Sequence, residues 1–100
     1  MGRLQLSPAA RADLVQIRRY GNHQFGGAAS DAYFLGFENA FDVLERHPQA
    51  GPAKPELGDG IRCLVHRQHR IFYRIEKDGV LIARVIHHAM DERSILKGSA

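Results

Sequence analysis

The thirteen residues 48–60, PQAGPAKPELGDG, constrain this chain more than any other stretch, because the hydrophobic period changes across them. Before them apolar residues return every three or four positions; after them they return every second one. Three prolines and three glycines leave no room for a helix or a central strand inside the segment, so it is read as a long loop. A chain that changes period once, at such a loop, is expected to place helices on one face of a sheet.

The helical half has clear punctuation. Arg3-Leu4-Gln5-Leu6 alternates like a short strand and stops at Ser7-Pro8. Serine before proline is an N-cap followed by N1, since the cap oxygen takes an orphan N–H that proline lacks. Ala10, Leu14, Ile17 and Gly21 then share one helix face, and residues 22–27 break the pattern with a glycine pair. Tyr33, Phe37, Ala40, Phe41 and Leu44 form a second stripe, read as core. His47-Pro48 ends that helix, because a residue before proline is pushed out of the α region. Two helices joined by a short break predict an antiparallel hairpin.

In the alternating half, Ile61, Cys63 and Val65 point one way and Arg62, Leu64 and His66 the other. Ile71, Tyr73 and Ile75 oppose Arg70, Phe72, Arg74 and Glu76. Asp78-Gly79 predicts a tight hairpin with both central residues at positive φ. Residues 80–86 are almost continuously apolar, as a strand covered on both faces would be. The expected fold is α+β, in the order β-α-α-β-β-β, with a helical hairpin on a small, largely antiparallel sheet. Residues 1–96 form one domain and 97–100 a tail, expected to be disordered.

Composition narrows the function classes. Apolar content of 44% and charged content of 25% are those of a globular domain, and no apolar run approaches a membrane span. The single cysteine, Cys63, cannot form an internal disulfide, which fits a cytoplasmic protein. Residues 1–50 carry five basic and five acidic side chains, whereas residues 51–100 carry nine and six. No acid stands between Ile61 and Arg74, so Arg62, Arg67, Arg70 and Arg74 suggest either a solvated sheet surface or a positive face for a macromolecular partner.

The stretch RVIHHAMD, residues 84–91, holds the candidate chemistry. Adjacent histidines on a strand point to opposite faces and cannot share an ion, so no metal and no cofactor are expected. No serine sits in a nucleophile elbow, and Gly26-Gly27 is too little for a phosphate loop. Metal-free RNA cleavage needs a base, an acid and cations at the phosphate. His87, Arg62 and Arg70 are the candidates for such a site, although strand parity scatters the arginines.

These residues, in this order, resemble the ParE-type toxins of the RelE/ParE toxin–antitoxin superfamily. The likeness runs from Leu6 to Leu96 through Leu6-Ser7-Pro8-Ala9-Ala10, Asp13-Leu14, Ile17, Tyr33 and the Phe37/Phe41 stripe. It continues with His47-Pro48, Gly51, Gly60-Ile61-Arg62 and His69-Arg70-Ile71-Phe72-Tyr73-Arg74, and closes with Arg84-Val85-Ile86-His87, Met90-Asp91, Arg93 and Leu96. The resemblance implies a cytoplasmic toxin that arrests growth and stabilises a plasmid or chromosome. It implies a ParD-like antitoxin in a hetero-oligomer, and DNA gyrase as target, with nucleic acid contacted only indirectly and no catalysis by the toxin itself. RelE-type relatives instead cut messenger RNA on the ribosome, and several end their last strand in His-Tyr. That pair falls on His87 and His88, so the tyrosine is missing here. ParE-type sequences commonly have arginine before the methionine, where this chain has Ala89; an attenuated toxin that chiefly binds antitoxin is therefore a third reading. Arg84, His87, Met90 and Arg93 are expected to face the target from one exposed surface. Arg70 and Arg74, with Leu14 and Ile17, are expected to meet the antitoxin.

Overall fold

The computed structural model describes residues 3–97. Strand β1 (Arg3–Leu6) leads into helices α1 (Pro8–Phe25) and α2 (Gly27–Arg46), then strands β2 (Arg62–His66), β3 (His69–Glu76) and β4 (Gly79–His87), and a short helix α3 (Glu92–Lys97). A single 3-10 turn, Pro55–Leu57, lies in the long loop. The strands are ordered β1-β4-β3-β2, antiparallel except for the parallel β1–β4 pair. Lys97, assigned to a tail by its sequence, closes α3; residues 98–100 lie outside the described residues.

Ser7 does more than cap. Its hydroxyl accepts from the Ala10 N–H at 2.9 Å and donates to the Ala83 carbonyl at 2.7 Å, tying the start of α1 to β4. Helix α1 runs on to Phe25, through most of the expected break at residues 22–27, and Gly26 alone (φ 86°) joins the two helices. One residue can do this because the left-handed region is open to glycine. Gln24 and Phe25 then simply complete the last turn. Arg18 fastens the hairpin by donating to Asp31 at 2.6 Å, with its guanidinium 4.2 Å from the Phe34 ring centre.

The hairpin covers one sheet face. Phe37 and Leu44 from α2 meet Ile71, Tyr73, Val80, Ile82 and Val85, with Leu14, Ile17, Tyr33 and Phe41 packed around them. On the opposite face Ile61, Cys63, Phe72 and Ile86 pack with Leu57, Ile95 and Leu96. Burial of Cys63 there raises its thiol pKa. The loop is pinned by Tyr73, whose hydroxyl donates to the Pro48 carbonyl at 2.6 Å and accepts from the Gly51 N–H at 2.9 Å.

Three local expectations need correction. The β3–β4 hairpin exists, but Glu76 pairs with Gly79, so its loop is Lys77-Asp78 and Asp78 does not adopt positive φ. Gly79 is instead a strand residue at φ 150°, needed because Arg3 backbone lies where a Cβ would stand. Val65 and Ile75 alternate as expected yet lie 64% and 44% exposed, beyond the reach of either covering layer. His87 and His88 do not point apart. The strand ends at His87, alternation ends with it, and the two rings stack at 4.4 Å.

Candidate functional site

The helical hairpin overhangs the ends of β3 and β4 and leaves a groove of about 760 Å³. Ile17, Tyr20, Phe25, Tyr33 and Phe34 form its apolar wall, while Arg67, Gln68, His69, His87 and Met90 line the opposite side. Tyr20 and Phe25, in edge-to-face contact, are 63% and 68% exposed at its mouth. Large exposed aromatics beside a concave wall characterise a docking surface.

Imidazoles build the floor. Tyr33 hydroxyl and His69 Nδ1 are 2.6 Å apart, and the His69 ring meets His87 edge-on at 5.5 Å. His66 packs between Phe37 and Tyr33 at 4.7 and 5.0 Å. Burial, then the neighbouring His87, His66 and His88, lowers the His69 pKa to about 4, so this ring is neutral near pH 7. Burial likewise raises the Tyr33 phenol, with the Gln68 backbone and Arg67 acting in the other direction. Among the described residues no cluster of three or more histidine, cysteine or carboxylate side chains is placed to hold a metal.

The expected surface of Arg84, His87, Met90 and Arg93 is only partly assembled. Arg84 is not on it: its Nε and a terminal nitrogen each donate to Asp13 at 2.8 Å, with side-chain exposures of 19% and 13%. Past Ile82 strand β4 has lost its β1 neighbour, and Asp13 takes that neighbour's place by also accepting from the Val85 N–H at 2.9 Å. The β4 register shift opposite Phe72 and Tyr73 puts Arg84 at this open edge, which strand parity could not foresee. His87 and Met90 do share the groove, and Met90 is 48% exposed. Arg93 is exposed on α3.

The other arginines are dispersed. Arg62 donates to the Gly51 and Gln49 carbonyls at 2.8 and 3.1 Å, and Arg70 pairs with Glu92 at 2.8 Å on the α3 side of the sheet. Arg62, Arg70 and His87 therefore do not converge, and of the four arginines of residues 61–74 two are local anchors while Arg67 and Arg74 are exposed. Leu14 packs into the hairpin core and Ile17 lines the groove, so neither stands with Arg70 or Arg74. Tyr20, Phe25 and Gln68 were not singled out as site residues by sequence, and Arg67 only as one of four arginines on the sheet. Tyr20 and Phe25 stand off both stripes, and two aromatics off a stripe at the end of a hairpin are the signal by which they were there to be found.

Comparison with known proteins places this geometry. The family model described as ParE toxin of type II toxin-antitoxin system, parDE, matches residues 4–92. A curated relative, Toxin ParE1 of Mycobacterium tuberculosis, is 33% identical over 90 residues, covering 89% of this chain and 92% of the relative. Toxin ParE1 of Caulobacter vibrioides is 30% identical over 92 residues, covering 92% and 95%. Among solved structures, the chromosomal ParDE TA system from P. aeruginosa superposes with TM-score 0.75 at 20% identity, over 87% of this chain and 96% of that one. The YoeB-YefM complex from Staphylococcus aureus superposes with TM-score 0.58 at 16% identity, over 88% and 98%. The chain belongs to the ParE family of toxins of type II toxin–antitoxin systems.

Proposed function

We propose that this toxin is neutralised by a ParD-like antitoxin and, when free, acts on DNA gyrase without breaking bonds itself. The observation carrying the second part is the occupation of its arginines. Arg62 is spent on loop carbonyls, Arg70 on Glu92 and Arg84 on Asp13, so of the residues expected for RNA cleavage only His87 faces the groove, with Arg67 beside it in place of the expected cations. What projects from the end of β4 is a contact surface instead: His87, the exposed Met90 and, on α3, Arg93. A flexible methionine beside a cation suits an adaptable protein contact.

The groove supports the antitoxin half of the reading. Its apolar wall of Ile17, Tyr20, Phe25 and Phe34 fits the nonpolar side of an amphipathic segment, and Arg67 at its rim favours an acid on that segment. Arg70 drops out of this surface because Glu92 already holds it.

Induction of the chain alone, with viability and the DNA-damage response scored together, tests the proposal. Arrest with DNA damage, relieved by co-expressing the antitoxin, is the expected outcome. Arrest without damage, with transcripts cut in translation extracts, would replace gyrase by messenger RNA as target. Harmless induction that turns toxic in Ala89→Arg would identify an attenuated toxin.

A further inference from the structure

His87 has both ring nitrogens engaged. Nδ1 accepts from the Ala89 N–H at 3.1 Å, and Nε2 lies 3.2 Å from Gln68 Oε1. A ring that accepts at Nδ1 carries its proton on Nε2, where it donates to the Gln68 oxygen. Around this ring the backbone makes a compact turn: His88 N–H donates to the Gln68 carbonyl at 2.8 Å and Met90 N–H to the His87 carbonyl at 3.0 Å. The neutral tautomer satisfies every one of these contacts. A second ring proton goes on Nδ1 and sets one N–H against another, so the Ala89 bond is lost.

We infer that His87 is a proton-operated latch on residues 88–90: the neutral ring fastens the turn between the sheet and α3, and the protonated ring releases it.

The surroundings favour release over accommodation. His69 from β3 meets the ring edge-on at 5.5 Å and His88 of the turn stacks on it at 4.4 Å, so a cation here faces two further imidazoles. Behind them stand His66 of β2 and Tyr33 of α2, and Arg67 from the β2–β3 turn lines the same groove. The carboxylates of the groove and of the following turn are committed. Asp13 of α1 holds Arg84, and Asp91 accepts from the Ser94 hydroxyl at 2.8 Å. Because His69 stays neutral down to about pH 4, its bond to Tyr33 survives while the latch opens. Arg70–Glu92 and the packing of Ile95 and Leu96 keep α3 attached, so the released part is short and includes Met90. The effect of that release on gyrase contact rests on the function proposed above; the latch itself does not.

Amide protection in the isolated chain, followed by NMR from pH 7.5 to 5.5, tests the latch. The opening constant at Ala89 is expected to rise about tenfold over that interval as the ring takes its second proton, relative to an inner-sheet amide such as Ile82. In His87→Asn an amide oxygen replaces Nδ1 as acceptor and cannot take up a proton, so Ala89 protection is expected to hold steady. Constant Ala89 protection in the native chain, while the His87 ring signals titrate, overturns the inference. So does a folded His87→Asn chain whose Ala89 protection falls as in the native one; if that variant does not fold, the native titration decides alone. Flat protection at Ala89 would leave the toxin assignment intact, and an absence of growth arrest would leave the latch intact.

Discussion

The two faces of the sheet are built to different standards. One is sealed by 38 residues of helix, counting 18 in α1 and 20 in α2, and holds Phe37, Leu44, Ile71, Tyr73, Ile82 and Val85 almost free of solvent. The other is closed by the six residues of α3 and a three-residue turn, with one ion pair, Arg70–Glu92, at the edge. The first face carries the fold. The second places a short helix that carries Arg93, and Met90, just before it, lines the groove. If Met90 and Arg93 meet the target as proposed, that contact lies apart from the core that carries the fold, and each should be alterable with limited damage to the other.

The largest effect should come from the sealed face. Phe37→Ala is expected to cost about 3–5 kcal/mol, enough to unfold a marginal domain, whereas Leu96→Ala should cost about 2 kcal/mol. Urea unfolding of both variants checks this; equal losses would dissolve the distinction between the faces. Truncation after His88 is a poorer tool, because it strips Ile95 and Leu96 from Phe72 and Ile86 along with the contact residues.

Asp13→Ala probes the seam between helix and sheet. It removes a two-pronged pair with Arg84 and leaves the Val85 N–H without its acceptor, and about 2–3 kcal/mol should be lost. Arg70→Met, by contrast, breaks a pair whose side chains are 37% and 29% exposed, and a loss near 0.5 kcal/mol is expected. A larger loss for Arg70→Met than for Asp13→Ala would show that α3 matters more to the fold than its size allows.

A smaller effect depends on pH. His69 binds its proton less readily in the fold, about 4, than the ordinary 6.5 of an unfolded chain. Between those values the unfolded state takes up more protons, so the contribution of neutral His69 is whole above pH ~6.5 and declines as pH falls toward 4. Unfolding midpoints at pH 7.5, 6 and 4.5 for the native chain and His69→Gln isolate it; the native chain should lose more on acidification. Parallel pH profiles would assign the acid sensitivity elsewhere.

Much of the sealed face was legible in the sequence, because local chemistry and tertiary role agree there. Ser7-Pro8 starts α1, the Tyr33–Phe41 stripe enters the core, and His47 ends α2. The contact region was less legible, because its residues answer to neighbours distant in the chain. Arg84 was expected in solvent, yet Asp13, 71 positions away, occupies it. The histidine pair followed strand alternation only until the strand ended. Gly79 was taken for a turn residue because nothing local reveals the Arg3 backbone beside it. Arginine clusters in sequence, likewise, say nothing of which carbonyls and carboxylates the fold will bring to them.

The most direct test of a load-carrying face and a separate contact face uses purified toxin, gyrase and supercoiled plasmid. The native chain should accumulate cleaved plasmid. Met90→Ala combined with Arg93→Ala should keep the native unfolding midpoint yet lower cleavage about tenfold, the effect of losing roughly 1.4 kcal/mol of contact. Undiminished cleavage by the double variant, or no cleavage by the native chain, would contradict the account.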